Sequence, residues 1–448
     1  MENSTSRLRI ALTAGVAAVA AAPALFWRAQ ISPLRGASIE RENINRGILV
    51  KFRARFGICL TLLLSTAGCY GQATTATSDH RDTAIRLEQT GQYAESESEW
   101  HKFLTGHPAS AEAYAHLGLL EARQEHYKEA VPLYRKALAL DPRMPGLRLN
   151  LGLSLFKSGA MKEAIVTFTP LLKSLPAESP DSLRVSTLIG LAHYSIGEYA
   201  AAIPFFKTAT AHDPQNLPFR MSLAQSCLQA RQYQCVLDVY QEILTLNAES
   251  AEADMLAGEA LDEMKNTNGA IEQFRAAVKA DPRLPNAHFG LGYLLWTQNQ
   301  FEEAAREFQA ELVNVPDNPQ ALTFLADCGL QLGKSDEALP LIEKAIQLDS
   351  NNARAHMDLG AIYASSSRRE DALREFKTAV KLTPEDANVH WRLARLYQSM
   401  GRKDEAKVEF DKTSSLHKAE NDSIFTKLKA AQDKGKPAES TSEPPATN

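Results

Sequence analysis

Cysteine is scarce in this chain, five residues in 448, and that excludes a small domain stapled by a disulfide framework. Two of the five, Cys59 and Cys69, fall in an N-terminal leader, leaving Cys227, Cys235 and Cys328 in the remainder. Cys227 and Cys235 flank a predicted turn between two helices, so a disulfide is geometrically open to them, although packing as small buried hydrophobes is the reading favoured from sequence. Net positive charge is also missing. With 49 Lys and Arg against 54 Asp and Glu, the chain has a charge of -5 and no overall field to hold a phosphate backbone. Nucleic acid is therefore not an expected partner. The sequence contains no nucleophile elbow, no Walker-type loop, no zinc-protease helix and no paired-cysteine metal motif. No catalytic residues, metal ligands or cofactors are expected, and the protein is not expected to be an enzyme.

What is present is distributed unevenly. Residues 1–55 hold nine basic side chains and three acidic ones, so the remaining chain carries 40 basic and 51 acidic residues, a net charge of -11. Within the leader (residues 1–73), the stretch Ile10 to Trp27 is short and Ala-rich for a membrane span, which wants about 20 apolar residues. A second stretch has the three parts of a secretory signal. Lys51 to Arg55 form a basic segment, Phe56 to Leu64 an apolar one, and Ser65 to Ala73 a run of small residues. The signal is thus placed at about 50–73, with residues 1–49 expected to be a mis-assigned start. Gly71-Gln72-Ala73 suits cleavage before Thr74. Lipidation of Cys69 is the minor alternative, because Thr66 stands where a lipobox has Leu. The expected location is periplasmic or envelope-associated in a bacterium, with membrane contact only through a lipid anchor or an uncleaved leader.

The strongest signal is an internal period of 34 residues. Laid end to end, ten copies begin at Thr77, Ala111, Pro145, Leu183, Leu217, Ala251, Pro285, Pro319, Ala353 and Ala387, with one insertion, Ser179 to Ser182. Place eight of every copy is Gly or Ala, as at Gly118, Gly152, Gly292 and Gly360, and place twenty-four is bulky, as at Tyr134, Phe168, Phe308 and Phe376. Small residues allow two helices to approach closely and large ones fill the space that remains. Proline recurs at place thirty-two, where it stops a second helix, and Gly91, Gly159, Gly197, Gly333 and Gly401 fall at place fifteen, where a left-handed residue closes a first helix. The sixth copy has Lys265 at that place. Each copy reads as helix, tight turn, helix, stop.

These small, aromatic and proline places in register resemble the tetratricopeptide repeat family over residues 77–420. The resemblance implies an all-α, right-handed solenoid of about ten helix-turn-helix repeats. A short capping helix is expected at 421–432, started by Asn421-Asp422-Ser423, followed by a disordered tail at 433–448. His288, His356 and His390 share place four, but one helix spacing of roughly 10 Å is too wide for a shared ion bound at about 2 Å.

In the resembled family, places two, five, nine and twelve of the first helix face a concave groove. Carried over, these places and their neighbours give candidate partner-binding residues. Phe156 and Tyr194 lie in an apolar early section; Met221, Met255, Glu259 and Asp262 follow, and Phe289, Tyr293, Trp296 and Asp327 come next. Met357, Trp391, Arg392 and Arg395 close the row. Tyr293 and Trp296 are expected to anchor a partner from an exposed wall, while Leu149, Leu153 and Leu191 are expected to pack. Asn150 and Arg392 occupy place six without the Lys-Asn pairs of a chaperone-tail clamp, so that ligand is set aside. The function implied is a protein-protein interaction scaffold binding peptides or helices of other proteins. A carrier or chaperone of apolar exported chains and an accessory subunit of an envelope assembly machine are the alternatives.

Overall fold

The computed structural model describes residues 72–246 and 250–434, with side chains described from Asp79 to Ala419 and at Asn421 and Asp422 outside that gap. Twenty helices and no strand occur among the described residues. The first ten are α1 (Gln72–Thr90), α2 (Tyr93–Gly106), α3 (Ala111–Arg123), α4 (Tyr127–Leu140), α5 (Leu147–Lys157), α6 (Met161–Ser174), α7 (Pro180–Ser195), α8 (Tyr199–His212), α9 (Leu217–Gln229) and α10 (Tyr233–Leu246). Next come α11 (Ala251–Glu263), α12 (Thr267–Ala280), α13 (Ala287–Thr297), α14 (Phe301–Asn314), α15 (Pro319–Gln331), α16 (Ser335–Leu348), α17 (Ala353–Ser365), α18 (Arg369–Leu382), α19 (Ala387–Ser399) and α20 (Lys403–Lys434). Odd-numbered helices are the first and even-numbered ones the second helix of each repeat. The helices form two compact units, one running to Ala260 and one from Leu261.

Each turn inside a repeat is made the same way. The residue at place fifteen is left-handed in all ten copies. Glycine serves in five, and Glu125, Arg231, Lys265, Asn299 and Ser367 accept the conformation in the others, with φ between 59° and 65°. Between repeats, a polar residue at place thirty-four starts the next helix: Ser110, Asn216, Asn318, Asn352 and Asp386 each accept a bond from a backbone N–H of the first turn. The third and seventh copies use another device. Met144-Pro145-Gly146-Leu147 and Leu284-Pro285-Asn286-Ala287 form turns closed by a bond between the outer residues, with Gly146 and Asn286 at φ 74° and 66°. The insertion adds a turn to the front of α7, where Ser179 caps and Pro180 takes the first position.

Packing follows the alternation of small and large places. In the unit running to Ala260, Ala84 and Trp100 share one cluster, Tyr134, Phe168 and Ile189 another, and Phe206, Cys227 and Ala257 a third. In the unit from Leu261, Ala326, Ile342 and Leu359 form one cluster, and Met357, Phe376 and Leu393 form the next.

Two features differ from the sequence reading. Cys227 and Cys235 are bonded to each other, with Cα atoms 5.9 Å apart, so α9 and α10 are joined across the Arg231 turn rather than merely packed. At the other end, α20 continues unbroken to Lys434 where a separate helix from Asn421 was expected. No Gly or Pro occurs between Lys403 and Lys434, and the polar Asn-Asp-Ser run alone does not interrupt the helix. The leader to residue 71, with Cys69, and residues 435–448 lie outside the described residues.

Candidate functional site

The helical spacing of Phe289, Tyr293 and Trp296, four residues and then three, sets them on one face of α13. Phe324 of α15 sits among them, with its ring 5.9 Å from Phe289, 5.4 Å from Tyr293 and 5.2 Å from Trp296. Phe308 of α14 stacks on Phe324 at 5.6 Å. Phe289 and Tyr293 are consequently 2% and 4% exposed, and of the three α13 aromatics only Trp296 keeps a surface. The expected exposed wall is here a filled aromatic cluster, because Phe324 from the next repeat occupies the space. Sequence reading missed Phe324, which stands at place six, outside the face carried over from the family.

Charge is organised around the same indole. Trp296 Nε1 donates to Asp327 Oδ2 at 2.6 Å. A guanidinium nitrogen of Arg354, the second residue of α17, donates to the same oxygen at 2.7 Å, and Arg354 Nε reaches Asp358 Oδ2 at 3.4 Å. The guanidinium also lies 4.8 Å from the centre of the Trp296 ring, a cation-π arrangement. Asp327 and Asp358 are 2% and 1% exposed. Burial pushes the Asp358 carboxyl up to about 7; Arg354 pulls it the other way, and the neighbouring Asp327 charge adds to the rise. Burial also works against the Arg354 charge, but the two carboxylates outweigh it and raise its proton affinity. Two buried acids therefore hold one arginine over one tryptophan, and about a fifth of the Arg354 side chain (22%) remains exposed.

The other sequence-named residues divide by burial. Phe156 and Met221 are half-buried. Tyr194 is also half-buried, edge-on to Tyr199 and Phe206, and loss of solvent pushes its phenol up to about 12. Met255 and Glu259 are buried in the unit that ends at Ala260. Asp262 is buried in the other unit, where burial raises its carboxyl against the opposing charge of Lys265. Met357 is buried, with Asn388 Nδ2 3.7 Å from its sulfur. Trp391 is 44% exposed and carries the Arg395 guanidinium 5.3 Å from its ring centre, and Arg392 beside it is half-buried.

Place four has a structural use that its periodicity alone did not reveal. Nε2 of His288, His356 and His390 meets the backbone carbonyl at place thirty-two of the preceding repeat: Pro282, Ser350 and Pro384, at 3.2, 3.1 and 3.0 Å. Nδ1 of each meets a glutamate of its own second helix: Glu307, Glu375 and Glu409. Tyr114 and Arg220, at the same place, donate to the equivalent carbonyls of Pro108 and Pro214. These side chains tie five of the repeats to the one before.

Models of the tetratricopeptide repeat match residues 81–145, 187–251, 255–319, 289–353 and 329–373, and a second model of that repeat matches 121–191 and 363–430. The chain belongs to the tetratricopeptide repeat family. Its helix pairs are consecutive tetratricopeptide repeats in an all-α solenoid, and proteins of this fold generally act as non-catalytic scaffolds that bind other proteins or peptides. Among known proteins, the chain is similar to the TPR repeat-containing protein YpiA of Bacillus subtilis, at 24% identity over 50% of this chain and 52% of that one. It is also similar to the CTR9 homolog of Arabidopsis thaliana, at 25% identity over 55% of this chain and 23% of that protein. The chain thus spans between about a quarter and a half of the length of these curated relatives. Among solved structures, a tetratricopeptide repeat protein from Parabacteroides merdae aligns over 56% of this chain and 97% of its own, with TM-score 0.42 and 19% identity. YrrB, described as a TPR protein with an unusual peptide-binding site, aligns over 42% and 97%, with TM-score 0.34 and 19% identity.

Proposed function

We propose that this tetratricopeptide repeat protein is a non-catalytic scaffold of the bacterial cell envelope that holds a peptide or helix of a partner protein against its first helices. The observation that carries this reading is the Trp296 and Arg354 stack, fixed by Asp327 and Asp358. Binding costs free energy whenever side chains must be ordered at the interface, about 0.5–1.5 kcal/mol for each flexible one. An indole and a guanidinium held in place before a partner arrives avoid much of that cost. Export is supported by the signal-like segment at 50–73 and by the Cys227–Cys235 disulfide, since disulfides persist in oxidising compartments. The carrier reading has less support, because Met255 and Met357, whose flexible thioethers would suit varied apolar peptides, are buried.

A peptide array probed with the purified protein tests the reading. The expected outcome is a restricted set of peptides whose binding weakens in Trp296→Ala, with helical circular dichroism retained. Weak binding to apolar peptides of any sequence would favour a carrier, and no binding at all would remove the scaffold reading. Intact mass and fractionation from the native cells test location. A chain beginning at Thr74 supports a free periplasmic protein, a lipid on Cys69 supports an anchored one, and a chain retaining Met1 overturns export.

A further inference from the structure

Place five of the first helix is buried at Leu149, Thr187, Met255, Phe289, Thr323 and Met357 and half-buried at Arg81, Ala115 and Met221. In the tenth repeat it is Trp391, the most exposed of the described tryptophans. Among the described residues no first helix follows α19, so places five and nine of that helix, Trp391 and Arg395, stand open.

The charge on this face is unbalanced. Helix α19 contains Arg392 and Arg395 and no acidic residue. Four nearby arginines have carboxylate partners, Arg354 with Asp327 and Asp358, Arg368 and Arg374 with Asp371, and Arg402 with Glu405, while Arg369 at the start of α18 has none among the described residues. Neither Arg392 nor Arg395 forms an ion pair among the described residues, and Arg392 Nε is a buried donor without a hydrogen-bond partner. Asp358 lies near enough to Arg392 to feel its charge, but Arg354 already engages that carboxylate.

Building on the scaffold reading above, we propose that the exposed face of α19 is a docking surface for an acidic segment of a partner protein. Partner carboxylates would pair with the Arg392 and Arg395 guanidinium groups, and an apolar partner side chain would cover the Trp391 indole. A planar guanidinium suits a carboxylate through paired N–H bonds. A second copy of this chain docking face to face would bring like charges together. A nucleic acid would meet only this small cationic patch on a chain whose charge after residue 55 is -11.

The test uses the full repeat array and three fluorescent probes: a ten-residue peptide of Asp and Glu with two leucines, its Asn and Gln counterpart, and a ten-nucleotide single strand. Anisotropy is expected to show saturable, salt-sensitive binding of the acidic peptide and at least tenfold weaker binding of the neutral one. Arg395→Gln, at an exposed position that leaves the fold intact, and Trp391→Ala should each weaken the acidic peptide several-fold. Arg392→Gln combined with Arg395→Gln should weaken it at least tenfold. Equal binding of the neutral peptide, unchanged affinity in the variants, or tighter binding of the oligonucleotide overturns the proposal. If the acidic probe does not bind while array peptides still depend on Trp296, this inference fails and the scaffold reading stands. If no peptide binds, both fail.

Discussion

The ring of Phe168 occupies the space a side chain at Gly152 would need: a Cβ there would lie 2.3 Å from Phe168 Cε1. Place eight meets place twenty-four of its own repeat in the same manner at Gly118 and Tyr134, and at Gly360 and Phe376. Phe168 is fully buried and cannot swing away. Gly152→Ala is therefore expected to destabilise the unit by about 1–2 kcal/mol, the strain of overpacking exceeding the helix-propensity gain of about 1 kcal/mol. Gly329, inside α15, supplies the contrast. Its added Cβ would meet only Lys334 O at 3.6 Å and Ala338 Cβ at 3.7 Å, so Gly329→Ala should stabilise by about 0.5–1 kcal/mol. Urea unfolding of the two variants beside the parent checks both signs.

The turns inside repeats make a purely backbone prediction. Gly159 has φ 85°, and no atom lies within 4 Å of the place a Cβ would take, so Gly159→Ala meets no steric neighbour and should still cost about 1 kcal/mol for the left-handed conformation. Ser367 already bears that cost at φ 60°. Ser367→Gly should raise stability by up to about 1 kcal/mol, and thermal unfolding monitored at 222 nm reads the difference.

Much of this architecture can be read along the chain, because helix, turn and stop depend on local chemistry repeated in register. The left-handed place fifteen was visible where glycine occupies it, and hidden at Glu125 and Arg231, where the surrounding turn imposes the conformation. The capping residues at place thirty-four were present in the sequence as Ser110, Asn216 and Asn352, and their recurrence could have marked every helix start they cap. The candidate site was legible only in part. The family resemblance put Trp296 and Asp327 on a common face and included place two, where Arg354 stands unnamed, but Phe324 completes the arrangement from place six, outside that face. Which side chain fills a gap between repeats depends on partners about thirty residues away, and a 34-residue average does not encode that.

The disulfide and the buried Cys328 thiol should respond oppositely to reagents. Cys227 and Cys235 close a loop of eight residues, for which the chain-entropy account gives about 2–3 kcal/mol. Reduction should lower the urea midpoint by a matching amount, and Cys235→Ser should show the same midpoint with or without reductant. Cys328 is buried, and loss of solvent pushes its thiol up to about 12. It should resist alkylation by N-ethylmaleimide in the folded protein and react fully in denaturant; rapid labelling under native conditions would contradict its placement.

Two groups predict opposite ends of one pH profile. His288 faces two acceptors, Glu307 and the Pro282 carbonyl, so both bonds are satisfied together only by the protonated ring. The Glu307 bond raises its proton affinity, with burial opposing. A raised value in the folded state means that the stabilisation is complete below the ordinary imidazole value of about 6.5 and is lost as pH rises through the folded value. Asp358, held up to about 7 against an ordinary 3.8, keeps a proton in the folded chain that the unfolded chain releases. It therefore removes stability as pH rises from about 4 to 7, and the loss stops there. Urea midpoints measured from pH 4 to 9 should fall across both windows in the parent. His288→Gln should flatten the upper window alone. Asp358→Asn should lessen the fall in the lower one, to which the buried Asp262 also contributes, and gain on the parent steadily up to about pH 7; a gap between variant and parent that stays constant with pH would show that Asp358 is ionised throughout.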